Sequence, residues 1–173
     1  DGIVRLWNPH TGEPLPDSIQ AYTTGWALSL AFDPTGKLLA TGGGDGIIKL
    51  WDVATRKLKG NPITGHGNRV TDLAFNGDGS ILTSASSDST VRYWNVADGS
   101  PRDVPLSSSS QPVWTAQPVP DDVEHITTLS GDGALAWWDA ADDALAYPLL
   151  HTHLETEEMK GLTDGSRYYL GST

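Results

Sequence analysis

Short apolar runs with a period of two recur along the whole chain, and none approaches the ~18 residues needed to cross a bilayer. In WALSLAF (26–32) the large side chains of Trp26, Leu28, Leu30 and Phe32 alternate with Ala27, Ser29 and Ala31. Asp33-Pro34-Thr35-Gly36 then supplies a turn and KLLATGG (37–43) a second extended run. VTDLAF (70–75), NGDG (76–79) and SILTSAS (80–86) repeat these signals, and a tight turn at Ser87-Asp88-Ser89 leads into a β-branched strand ending at Trp94. A looser turn precedes a fourth extended segment, KLKGNPI (57–63) or RDVPL (102–106), where proline suits an edge strand because it cannot donate to a ladder. The pattern predicts an all-β chain of short antiparallel strands in sets of four.

The sets repeat in register. DGIVRLW (1–7), DGIIKLW (45–51), DSTVRYW (88–94) and DGALAWW (132–138) each run from an aspartate to a tryptophan six residues on, and the aspartates Asp1, Asp45, Asp88 and Asp132 are 44, 43 and 44 residues apart. A lone four-stranded sheet of this length cannot bury both faces, so neighbouring units must stack on one another. The expected fold is a β-propeller of four-stranded antiparallel blades, about four blades' worth with a half blade at each end. The boundaries read as 1–22 (end of a first blade), 23–63, 64–106, 107–150 and 151–173 (start of a fifth). The opening at Asp1 without a leader suggests a piece of a longer frame. The half blades are expected to be completed by flanking blades or by a second copy, two copies making an eight-bladed ring.

The turn aspartate, the strand ends Trp51-Asp52 and Trp138-Asp139, and Gly65-His66 resemble the WD-repeat (WD40) β-propeller family. The phrases at 31–46 and 61–80 are similar to its regular bacterial members. The resemblance implies a non-catalytic protein-interaction scaffold or sensing module, cytoplasmic and bacterial, with a protein or peptide partner and no cofactor. It also implies a structural network of His66, Ser84, Asp88 and Trp94. Thr41 and Thr128 keep the hydroxyl four residues before the turn aspartate, but Thr23 and Ser110 stand where the histidine would be. Those repeats are expected to rely on packing, with Asp45 and Asp132 satisfied by turn amides. Loops crowding one end of the channel put Trp26, Asn68, Arg69, Ser87 and Trp114 forward as partner-binding residues, tryptophan and arginine being frequent interface anchors.

Charge and composition narrow the chemistry. The net charge of −11 is uneven: residues 1–96 hold eight basic and nine acidic side chains, residues 97–173 three and thirteen. An acidic half repels a phosphate backbone, so nucleic acid is not an expected partner. No cysteine is present, which excludes disulfides, thiolate metal sites and cysteine nucleophiles. The alternative to a scaffold is an enzyme or metal-binding propeller. His66, Ser84 and Asp88 are the residue types of a nucleophilic triad, and His151, His153 and Glu155 have a spacing that sets three ligands on one strand face. TGGGDG (41–46) lacks the lysine and helix start of a phosphate loop and reads as a turn. The serine run at 107–110 reads as a surface loop or a phosphorylation segment.

Overall fold

The computed structural model describes residues 1–102, 105–107, 111–119, 122–139, 144–151, 160–163 and 168–171. His153, Glu155 and the serines at 108–110 lie outside the described residues, as do the side chains of Ser107 and His151.

Strands alone make up the regular structure of the described residues, and they pair antiparallel in chain order. β1 (Ile3–Val4) pairs with β2 (Ile19–Gln20). β3 (Ala27–Phe32), β4 (Leu38–Gly43) and β5 (Ile48–Asp52) form the second sheet. β6 (Val70–Phe75), β7 (Ile81–Ser86), β8 (Thr90–Asn95) and β9 (Leu106–Ser107) form the third. β10 (Val113–Val119), β11 (Asp122–Ser130), β12 (Ala134–Asp139) and β13 (Ala144–His151) form the fourth, and β14 (Lys160–Thr163) pairs with β15 (Tyr168–Gly171). The fourth strand expected at 57–63 is reduced to the bridges Trp51–Leu58 and Ile48–Ile63. Pro62 has no N–H to extend that ladder.

The register repeats from sheet to sheet. Leu30 faces Thr41 across β3–β4, and Leu73 faces Ser84 across β6–β7. A bulge falls at the same place in each first strand, at Leu28, Thr71 and Trp114. In the turns before the third strands, Gly46, Ser89 and Gly133 all adopt left-handed backbone, with φ of 79°, 69° and 81°.

Three apolar clusters lie between successive sheets. Val4, Ile19 and Tyr22 pack on Leu39 and Trp51. Ala40, Ile48 and Leu50 pack on Val70, Leu73, Leu82 and Trp94. Ala85, Val91 and Tyr93 pack on Val113, Ala116, Ile126 and Trp138. Glycine in β4 allows close approach: a Cβ added at Gly42 would stand 2.8 Å from the Val70 Cβ of the next sheet. Polar ties join the first strands of successive sheets. Ser29 Oγ donates to Val70 O at 3.2 Å, Thr71 Oγ1 donates to Val113 O at 2.6 Å, and Asp72 Oδ2 accepts from Ala116 N at 3.1 Å and Gln117 Nε2 at 2.7 Å.

Candidate functional site

The third sheet brings His66, Ser84, Asp88 and Trp94 together. Trp94 Nε1 donates to Ser84 Oγ at 2.8 Å, Ser84 Oγ lies 2.7 Å from His66 Nε2, and His66 Nδ1 lies 2.9 Å from Asp88 Oδ2. The carboxylate on one side and the hydroxyl on the other fix the neutral tautomer with its proton on Nδ1. Asp88 also accepts from Gly67 N at 2.8 Å, Thr90 N at 3.0 Å and Thr90 Oγ1 at 2.6 Å. Burial opposes its charge most strongly, yet the hydrogen bonds from Thr90, Gly67 and His66 together hold its carboxyl at about 2. Burial also pushes the His66 imidazole below its ordinary value, against the pull of Asp88, which keeps the ring neutral at pH 7.

Distances alone would suit a nucleophilic triad. Ser84 is fully buried, however, and its oxygen is held by the Trp94 indole, so no substrate carbonyl can reach it. The arrangement ties the loop before β6 to the β7–β8 turn.

The second sheet departs from expectation. Thr23 is exposed, and Tyr22 fills the histidine's place. The Tyr22 hydroxyl lies 2.9 Å from both Thr41 O and Ile47 O and 3.3 Å from Thr41 Oγ1, which in turn accepts from Trp51 Nε1 at 3.0 Å. Burial pushes the phenol up, so it stays a neutral donor. Lys49 Nζ sits 4.5 Å above the ring and donates to Ala21 O at 2.6 Å. This sheet therefore has its own buried network, where packing had been expected to contribute more than hydrogen bonding. The miss came from the register: Tyr22 precedes His66 by 44 residues while their turn aspartates differ by 43. The fourth sheet keeps the core of the pattern, with Trp138 Nε1 donating to Thr128 Oγ1 at 2.9 Å. Asp45 and Asp132 accept from turn amides, Ile47 N and Ala134 N, each at 3.1 Å.

The surface residues converge on one end of the sheets, beside those turns. Trp26 O, Arg69 O and Pro112 O accept from Gly44 N, Ser87 N and Gly131 N, which makes Trp26 and Arg69 structural equivalents in adjacent sheets. Trp26 is 62% exposed and Trp114 55% exposed, so neither is a core residue. Asn68 and Arg69 are exposed and Ser87 is half-buried. Asn68 Oδ1 accepts from Arg69 N at 2.8 Å. Trp114 occupies the bulge position, the same one that leaves Leu28 exposed two sheets earlier. Leu28 escaped the sequence reading because nothing in a period-two pattern marks a bulge. Among the described residues, no three His, Asp or Glu side chains cluster as metal ligands. The His151, His153 and Glu155 set falls outside the residues whose side chains are described.

Antiparallel sheets stacked face to face, the second, third and fourth each carrying a turn aspartate and a buried tryptophan, define a β-propeller. The model of the family described as "WD domain, G-beta repeat" matches residues 16–52 and 57–95, so the chain carries repeats of the WD type over these two segments. It is similar to human apoptotic protease-activating factor 1, 39% identical over 61 residues, which are 32% of this chain and 5% of that protein. It is also similar to bovine transducin beta-like protein 3, 37% identical over 68 residues, 37% of this chain and 7% of the relative. The chain thus matches a small part of the length of these relatives. A chain in the crystal structure of the mitotic checkpoint complex superposes with a TM-score of 0.75 at 20% identity, over 84% of this chain and 44% of that one, a likeness of fold.

Proposed function

We propose that this chain is a non-catalytic protein-interaction module that binds a protein or peptide partner at the end of the sheets carrying Trp26, Leu28, Asn68, Arg69, Ser87 and Trp114. The observation that carries this reading is the double exposure of Trp26 and Trp114 beside Arg69. Large aromatic side chains held at rigid strand starts offer contact area at low entropic cost, and tryptophan and arginine are the types that dominate interface energetics. The buried state of Ser84 and His66 argues against the triad alternative. The likeness of 31–46 and 61–80 to regular bacterial repeats supports a bacterial, cytoplasmic setting, and the acidic balance of 97–173 favours protein over nucleic acid.

Quantitative affinity capture tests the reading, comparing the unmodified chain with a Trp26→Ala/Arg69→Ala double variant of equal thermal midpoint. Loss of a specifically recovered protein in the variant supports it. Equal recovery of the same proteins contradicts it.

A further inference from the structure

Acceptors at the end of the sheets that carries Trp26, Arg69 and Trp114 are already spent. The carbonyls of Trp26, Arg69 and Pro112 accept from Gly44 N, Ser87 N and Gly131 N. Arg69 O also accepts from Ser86 Oγ at 2.9 Å, and Asn68 Oδ1 is taken by Arg69 N at 2.8 Å. The adjoining turn carboxylates are engaged as well: Asp45 accepts from Ile47 N, Asp88 from Gly67 N and Thr90, and Asp132 from Ser130 Oγ and Ala134 N.

What remains are donors. Three hydrogen bonds hold the Arg69 backbone, yet its exposed guanidinium makes no ion pair or hydrogen bond among the described residues. The indole N–H groups of the buried Trp51, Trp94 and Trp138 each go to a hydroxyl, whereas those of the exposed Trp26 and Trp114 have no partner among the described residues. Arg69 and Trp114 lie in sheets that each pack on a preceding sheet, so their exposure belongs to the position itself. A cation on a rigid mount, with an indole in the sheet on either side, is complementary to an anion set between apolar groups.

We infer that this end binds a segment of a partner protein in which one Asp or Glu carboxylate is flanked by aromatic or aliphatic side chains. The carboxylate meets Arg69, and the flanking groups lie on Trp26 and Trp114. This rests on the reading of the same end as the partner-binding face and adds the chemistry of the partner. A phosphate group fits less well. Its second charge would meet the turn carboxylates Asp45, Asp88 and Asp132 with one guanidinium to offset it, and residues 97–173 hold thirteen acidic side chains against three basic.

A phage-displayed library of random peptides, selected on the 173-residue chain, tests the inference. The enriched peptides should carry Asp or Glu beside Phe, Tyr, Trp or Leu. A synthetic copy of the best of them should lose about tenfold or more in affinity when its acid is replaced by the corresponding amide. On an Arg69→Gln chain the binding should fall by a similar factor and become indifferent to that replacement, with an unchanged thermal midpoint because the Arg69 side chain makes no bond within the chain. Peptides weakened by Trp114→Ala but unmoved by Arg69→Gln overturn the carboxylate and leave the partner-binding face standing. A phosphoserine copy that binds more tightly than the carboxylate peptide overturns the choice of anion. Peptides indifferent to both Trp26→Ala and Trp114→Ala, or a selection that enriches none, contradict the face itself and the inference with it.

Discussion

The Tyr22 hydroxyl and the Thr41 hydroxyl stand 3.3 Å apart in the second sheet, where the third sheet sets His66 Nε2 at 2.7 Å from Ser84 Oγ. Two chemically different side chains thus serve one purpose: each joins the loop before a first strand to a hydroxyl that also receives a tryptophan N–H. Tyr22→Phe keeps the ring and deletes the bond to the buried carbonyls of Thr41 and Ile47. Urea unfolding should show a loss of about 1–3 kcal/mol, the cost of leaving buried acceptors short of a partner. No loss would mean that the phenol merely fills space.

Ser89 takes a left-handed φ of 69° where the other two turns have Gly46 and Gly133. A side chain is strained in that region, and no hydrogen bond of this turn needs the Ser89 hydroxyl. Ser89→Gly is expected to raise stability by about 0.5–1 kcal/mol, read from the shift in the denaturation midpoint. A decrease would contradict the turn geometry.

Gly42 lies where the second sheet packs on the third, and an added Cβ would press on Val70 and the Ser29 hydroxyl. Val70 Cβ is fixed to its backbone and cannot swing aside. Gly42→Ala should cost about 1–3 kcal/mol by overpacking. The thermal midpoint measures it, and an unchanged midpoint would show that the sheets can part at that point.

Acid should weaken the fold in two steps. The folded His66 titrates below its ordinary 6.5, so from that pH downward the unfolded chain takes up a proton that the folded chain does not, and stability falls. Asp88 titrates at about 2 rather than 3.8, so its contribution is present above 3.8 and is lost as the pH falls from there through 2. Urea midpoints measured from pH 8 to pH 2 should decline first below about 6.5, a decline absent in His66→Ala, and again below about 3.8. A wild-type curve flat between 6.5 and 4.5 would contradict the buried neutral imidazole.

Much of this was legible in the sequence because the relevant spacings are local. The turn aspartate, the hydroxyl four residues before it and the tryptophan six residues after it sit on one hairpin, whose geometry allows no drift. Tyr22 was hidden because it belongs to a loop whose length varies by one residue between repeats, so counting back from the aspartate pointed to Thr23. The exposure of Trp26 and Trp114 was equally hidden. Alternation separates two faces of a strand but cannot say which is covered, and a bulge at Leu28 and Trp114 shifts the alternation itself.

The most enzyme-like constellation among the described residues, His66 with Ser84 and Asp88, is a fastener between the loop before β6 and the β7–β8 turn. His66→Ala tests it most directly. Removing the imidazole takes one hydrogen-bond partner each from Asp88 and Ser84 in a buried setting, and equilibrium unfolding in urea at pH 7.5 should show a loss of about 1–3 kcal/mol with an unchanged slope. A His66→Ala chain as stable as the unmodified one would contradict the account.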